Sequence, residues 1–428
     1  MTSAVSRETR AAISGGAFLG VAMLIANAGN YVLNLLLARW FTPGQFADAN
    51  LMVTLMLSVM AVAVLVQLVT VRSVGVLDAA GKPELARVLI SRIRRVALVA
   101  GLVVGLLFAA PSALWSALFN TESAWLFVIL GAGMPFYIVQ AVGRGALQGR
   151  LQFRRVGMTY LIEMTVRLVL GYGLVLAGGG VIGATIGLSV SFVAAWLAVG
   201  LLTRTRGAKT PASIEGIDFH DVRSYAALVV VLLVGQIIIN NSDVLVAKAV
   251  LSDFDAGIYS AVALAGRAVY FLSWSVATVI FPLAARRQAT QGDTGSLLTG
   301  GIITVASIGV AATVGAYFVG GPVMGIVIGP DYANVSEPLA AYAAVTTMFV
   351  VANLIATHRL SQGHVRESWI VVGGAVVQVI ALLIWNTDIT SLIFAQAGAM
   401  ALLLIAIVTA QYWRRTRVAT DTSRSVVA

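Results

Sequence analysis

Few residues in this chain could do chemistry, and most of them lie where charge is costly. Glu163 and Arg167 are spaced i, i+4, so they can pair along one helix. Arg267 has no acid at helical spacing. Asp243 could reach it from a neighbouring segment, and so could an anionic substrate. Asn27, Asn30 and Asn34 fall at i, i+3 and i+7, and Gln236, Asn240 and Asp243 at i, i+4 and i+7. Each set lines one face of a helix. Arg39 and Lys248 each close a long apolar stretch. Such a set could hold an anion on Arg167 and Arg267, hydrogen-bond a polar head group along two amide stripes, and carry a proton on Asp243 or Glu163. Arg39 and Lys248 could contact the same ligand or snorkel outward. No cysteine is present, so thiolate metal sites and disulfides are excluded. His220, His358 and His364 have no zinc-type spacing, no nucleotide-binding P-loop occurs, and no cofactor or metal is expected.

The elements that must position these residues are membrane helices. Of 428 residues, 59% are hydrophobic and 11% charged, and mean hydropathy is +0.93. A soluble domain would carry about 25% charged residues. The apolar runs are about 20 residues long, which suits membrane-spanning helices. In hydrocarbon every backbone polar group must be satisfied within the chain. About twelve spans are expected, near 12–38, 49–72, 95–114, 124–147, 157–177, 181–203, 225–250, 256–282, 298–319, 337–358, 368–385 and 390–412. Arg167 and Arg267 each lie about eleven residues from a span end, roughly 16 Å at the helical rise. That is near the midplane of a core about 30 Å thick, where an Arg needs a partner or a wet cavity.

The net charge of +10 does not indicate nucleic-acid binding, because the basic residues form no domain of their own. With both termini cytoplasmic, 24 of the 28 basic residues, Arg144 among them, fall in inner segments. The outer loops hold Asp48, Glu122, Asp253, Asp255, Asp331, Glu337 and Asp388. The basic residues are nearly all Arg, and with abundant Ala, Val and Gly this fits a GC-rich bacterial genome, so the expected location is the bacterial inner membrane.

The chain also repeats itself. Asn34-Leu35-Leu36-Leu37-Ala38-Arg39 is matched by Asp243-Val244-Leu245-Val246-Ala247-Lys248, and Leu147-Gln148-Gly149 by Ser361-Gln362-Gly363. Six spans per half make this a parallel repeat: residues 1–203, a cytoplasmic linker 204–224, and residues 225–428. Gly16/Gly20, Gly101/Gly105 and Gly183/Gly187 have the spacing of close helix packing.

These motifs resemble the Wzx-type oligosaccharide flippases, the polysaccharide transporters of the multidrug/oligosaccharidyl-lipid/polysaccharide (MOP) superfamily. The matching residues are Asn30 through Arg39 with Thr42-Pro43-Gly44-Gln45-Phe46, and Leu147-Gln148-Gly149 with Phe153. Asp243, Lys248 and Gly257-Ile258-Tyr259-Ser260 follow, then Gly329-Pro330-Asp331-Tyr332. In the first half the family's Gly-x-Tyr would fall on Asp48-Ala49-Asn50, a departure. The resemblance implies an all-α polytopic membrane protein, with two six-helix lobes around a central cavity. It implies a non-enzymatic flippase moving a polyprenyl-diphosphate-linked oligosaccharide from the inner to the outer leaflet. Its partners would be that glycolipid, membrane lipids, and a polysaccharide polymerase or glycosyltransferases. Arg267 would contact the diphosphate, and removing it would leave a folded protein, since a cavity-facing Arg is already hydrated.

Three other readings compete. A MATE-like drug exporter would show more acid than base in its cavity. A major-facilitator carrier is suggested by Gly75-Val76-Leu77-Asp78-Ala79-Ala80-Gly81-Lys82, one residue short of that family's loop pattern. An integral-membrane glycosyltransferase or polymerase would need sizeable outer loops, and these are short.

Overall fold

The chain is all-helical in a computed structural model that describes residues 2–203, 220–270, 295–362 and 364–427. It divides into two compact units, Met1–Ala227 and Leu228–Ala428. Residues 204–219 of the expected linker lie outside the described set, as do residues 271–294, which include the second half of the expected eighth span 256–282, and Gly363 of the second repeat pair.

The first unit holds α1 (Thr2–Trp40), α2 (Pro43–Ala79), α3 (Pro83–Ala109), the short α4 (Ser112–Leu118), α5 (Trp125–Gly149), α6 (Phe153–Leu174) and α7 (Gly180–Leu202). The second holds α8 (His220–Val250), α9 (Asp253–Gly266), α10 (Gly295–Gly315), α11 (Gly321–Val327), α12 (Ser336–Ser361), α13 (Arg366–Ile384) and α14 (Ile389–Val427). Among the described residues nine helices are long and apolar enough to cross a membrane, or ten if the bent pair α3 and α4, at 57°, is one span. One of the nine, Phe153–Leu202, is a hairpin. It reverses where Gly178 and Gly180 take φ of 89° and 53°, a conformation open to glycine. It then packs α6 against α7 through Gly171 and Gly187. The hairpin therefore supplies two crossings.

The repeat is visible in the packing. In the first unit α1 packs on α6, α2 and α3 on α5, and α7 on α5 and α6. In the second unit α9 and α10 pack on α12, and α14 on α12 and α13. Gly235 of α8 lies against Val371 of α13, and Gln378 donates to the Ile239 carbonyl. The fourth span is the pillar of each unit: 67% of the α5 window and 72% of the α12 window is buried, against 11% for the span begun by α10. Polar caps repeat too. The Thr42 hydroxyl accepts from the Gln45 amide at 3.4 Å, and Ser252 accepts from the Asp255 amide at 3.1 Å. Each satisfies an orphan donor at a helix start. The outward faces carry large apolar side chains, such as Phe318 at 72% and Ile326 at 77% exposure. A surface of that kind belongs in lipid.

Several loop assignments need correction. α2 begins at Pro43, so Asp48 is a buried helix residue whose carboxylate accepts from the Glu122 amide at 2.9 Å. α3 begins at Pro83, which puts Arg87, Arg92, Arg94 and Arg95 on helix. The eighth span is broken at Arg267, where α9 has ended. Arg144, counted with the inner segments, is buried inside α5. For Asp48 and the basic residues of α3 and α5 the helix extends over a polar residue near the expected span end, whereas at Arg267 a helix ends inside an expected span.

Of the three glycine pairs, Gly16/Gly20 has open space beside it among the described residues. The other two do pack. A Cβ on Gly105 would meet the Gly131 carbonyl oxygen at 2.5 Å, and one on Gly101 would meet Pro135 Cα at 2.6 Å. Backbone cannot yield as a flexible side chain can. Gly105→Ala is therefore expected to destabilise the first unit by about 1–3 kcal/mol, while Gly16→Ala changes nothing measurable. Thermal unfolding of both variants in detergent checks this, and equal melting temperatures would remove the close-contact argument.

Candidate functional site

Among the described residues each unit encloses a charged cluster that holds candidate site residues, and the two are built differently. In the first unit α6 presents Glu163 and Arg167 one turn apart, facing α1, α5 and α7. Arg167 Nη2 donates to Glu163 Oε1 at 2.5 Å, Nη1 to Asn30 Oδ1 at 3.0 Å, and Nε to Ser191 Oγ at 3.2 Å. Arg144 reaches across from α5. Its Nη2 donates to Glu163 Oε2 at 2.7 Å, its Nε to Thr159 Oγ1 at 3.0 Å, and its guanidinium lies 3.9 Å over the Tyr160 ring. Glu163 is thus a bridge, with one oxygen for each Arg. All three side chains are buried. Two cations and one anion leave the cluster with one surplus positive charge. Uncompensated buried charge is costly unless a further anion or water meets it.

In the second unit the cluster centres on Asp243 of α8, which is fully buried. Its Oδ1 accepts from Arg267 Nη2 at 3.1 Å. Its Oδ2 accepts from the Tyr342 hydroxyl at 2.7 Å and the Tyr259 hydroxyl at 3.2 Å. Arg267 follows the end of α9, and its side chain is 14% exposed, more open than its carboxylate partner. Its Nε is buried without a hydrogen-bond partner among the described residues. The Asp243 pair alters the expected result of removing Arg267: a hydrated Arg leaves cleanly, but one holding a buried carboxylate does not.

The amide stripes do not share one environment. Asn27 is exposed, and Asn34 donates to its own helix at the Asn30 carbonyl, 2.8 Å away. Gln236 is buried and donates to Asn353 of α12 at 2.6 Å, while Asn240 donates to the Gln236 carbonyl at 2.7 Å. Arg39 is exposed at the end of α1, as outward snorkelling requires. Lys248 is not. It is 2% exposed, with Nζ 2.7 Å from Asp253 Oδ1, because α9 begins five residues on and brings its first-turn acid back over the ammonium. The Leu-Gln-Gly signatures serve the helix ends. Gln148 accepts from Gln67 Nε2 at 3.0 Å, Gln362 accepts from Arg359 Nη1 at 3.0 Å, and Arg150 pairs with Asp78 at 2.9 Å.

Sequence reasoning missed Arg144, Ser191, Tyr259 and Tyr342 as cluster members. For Arg144 the signal was its place inside the expected span 124–147. For Tyr259 it was membership of the Gly-Ile-Tyr-Ser motif. Ser191 and Tyr342 gave none, being ordinary residues of apolar helices. Among the described residues no group of acids and histidines could hold a metal ion.

Comparison with known proteins places this architecture. It is similar to a multidrug-resistance MATE family transporter of the MOP superfamily in an inward-facing conformation (TM-score 0.76, 13% identity, 96% of this chain and 99% of that one). It is also similar to the lipid II flippase MurJ in an inward closed conformation (TM-score 0.70, 15% identity, 92% and 87%). A third likeness is a MOP superfamily transporter from Pyrococcus furiosus (TM-score 0.60, 15% identity, 95% of each). At such identities the likeness defines the fold, that of MOP superfamily transporters. Residues 36–337 match the family described as polysaccharide biosynthesis protein, and the chain belongs to that family. A search of curated protein sequences finds no match.

Proposed function

We propose that this protein is a flippase that moves a polyprenyl-diphosphate-linked oligosaccharide from the inner to the outer leaflet of a bacterial cell membrane by alternating access, with both termini cytoplasmic. Family membership supports polysaccharide biosynthesis, and the fold supports transport over enzymatic chemistry. One observation carries the choice of substrate: the buried cluster of the first unit has two guanidinium groups to one carboxylate. A diphosphate head group supplies the missing negative charge, and bidentate guanidinium contacts suit phosphate oxygens. A cation exporter would need the opposite balance. The apolar tail can stay in lipid while the head group crosses.

In this reading Arg167 and Arg267 are the substrate cations, helped by Asn30, Asn34, Gln236 and Asn240, with Asn27 exposed along α1 and Arg39 exposed at its end. Glu163 is held by two guanidinium groups and Asp243 by one, so ion coupling falls to Asp243. A proton on Asp243 would free the Arg267 guanidinium for the diphosphate, and proton release would recapture it. Lys248, closed by Asp253, holds a helix turn.

Reconstitution tests this. Vesicles containing the protein and a polyprenyl-diphosphate oligosaccharide are expected to expose inner-leaflet glycan to an added glycosidase far faster than protein-free vesicles. If exposure matches the empty vesicles while an organic cation dye is accumulated, the drug-exporter reading replaces this one.

A further inference from the structure

The first unit carries a second candidate site, on the face of α5 away from the charged cluster. A cavity of about 610 Å³ lies between α3, α5 and α7. That volume is within the range of about 300–1,000 Å³ for small-ligand pockets. Its floor is the glycine crossing described above, where Gly105 and Gly131 bring two backbones together and leave no side chains to fill the space. One wall is Leu98, Leu102 and Leu106, at i, i+4 and i+8 along α3 and all exposed. The opposite wall is Phe136 and Trp196, edge to face at 5.3 Å. At one end of the same α3 stripe, four residues before Leu98, stands Arg94. It is exposed and has no ion pair among the described residues, and Arg92 and Arg95 flank it.

The groove runs from Arg94 to Ala109 on α3, roughly 22 Å at the helical rise, most of the depth of a hydrocarbon core of about 30 Å. It is apolar along its length and cationic at one end. At about 100° per residue, Arg144 projects from α5 roughly 150° away from the groove-lining positions. A substrate head group held by Arg144 and Arg167 could not lay its tail here.

The geometry points to a binding site for an anionic phospholipid, taken from the leaflet at the basic end of α3, with one acyl chain in the groove and its phosphate on Arg94. Charge selects this occupant. A zwitterionic lipid carries its own cation beside the phosphate, whereas an anionic head group leaves the phosphate free for Arg94 and its neighbours. Basic pockets between membrane helices bind anionic head groups in this way. The site does not depend on the transport reading, because none of its residues belongs to either charged cluster.

The test is lipid retention by the purified full-length protein, read by native mass spectrometry. Detergent micelles would carry phosphatidylglycerol or phosphatidylcholine of matched chains, with a polyprenyl phosphate as competitor. Phosphatidylglycerol is expected to be retained in preference to phosphatidylcholine. Arg94→Gln should reduce its retention about fivefold, the weight of a single cation at an anionic surface, and Arg94→Lys should not. Ala132 is exposed in the groove, so Ala132→Phe should block the chain without disturbing the core. Equal retention of the two phospholipids, or no change with Arg94→Gln, overturns the head-group assignment. Full retention by Ala132→Phe overturns the groove. Displacement of phosphatidylglycerol by polyprenyl phosphate at equal concentration hands the groove to the transported substrate.

Discussion

An Arg267→Ala variant is expected to lose both transport and stability, and an Asp243→Asn/Arg267→Ala double variant to recover the stability alone. Among the described residues, the single change leaves the fully buried Asp243 carboxylate with the Tyr259 and Tyr342 hydroxyls but no cation. Breaking a buried ion pair by removing one partner costs about 3–5 kcal/mol, because the remaining charge is uncompensated. Asn at 243 removes that charge and still accepts from both phenols, so the double variant should unfold close to wild type. Transport should stay absent, because the guanidinium proposed to meet the diphosphate is still missing. Lys at 267 should rescue partly, since it restores charge but not the planar fork. Thermal unfolding in detergent and glycan exposure in vesicles separate the two effects. A double variant that recovers flipping as well would make Arg267 a structural partner only. A single variant as stable as wild type would mean that the Asp243 pair does not form in the working protein.

The long elements were legible because membrane helices announce themselves by length and hydropathy. The duplication was legible because two short signatures recur in step, and the packing repeats with them. Helix ends were not. Pro43 and Pro83 sit at the first turn, where the missing amide costs nothing, so α2 and α3 start earlier than hydropathy suggests. Asp48 and Arg94 are consequently helix residues.

The candidate site was legible where one helix carries both partners. Glu163 and Arg167 meet because i and i+4 share a face. Contacts made across helices were not, since nothing in α5 or α12 marks Arg144 or Tyr342 as a neighbour of an acid. The repeat also misleads here. Asn34 and Asp243 hold equivalent places in the sequence repeat, yet Asn34 turns back to its own helix while Asp243 gathers three donors. In the first unit the charge sits on α6 and α5 instead. Backbone packing constrains both halves alike, but a buried charge needs only some partner, so the clusters could diverge while the helices stayed in register.

The first-unit cluster should be the less forgiving of the two. Glu163→Ala would leave Arg144 and Arg167 buried with no carboxylate between them, breaking two ion pairs at once. Each is worth about 3–5 kcal/mol by that route, and even with imperfect additivity the loss approaches the whole stability of a typical domain, about 5–15 kcal/mol. Glu163→Gln is expected to fare little better. Its amide oxygen can serve one guanidinium, but its NH₂ group turns a donor toward the other. Both variants should fail to accumulate in the membrane, and Glu163→Asp should accumulate in part. Adding Arg144→Met to Glu163→Gln removes the cation left without an acceptor and restores the net charge of the cluster. That double variant should regain accumulation, while Arg167 keeps Asn30 and Ser191. Immunoblotting of membranes and size-exclusion elution read the outcome. If Glu163→Gln instead accumulates like wild type and only flattens the pH dependence of flipping, Glu163 carries the coupling proton and the bridge assignment fails.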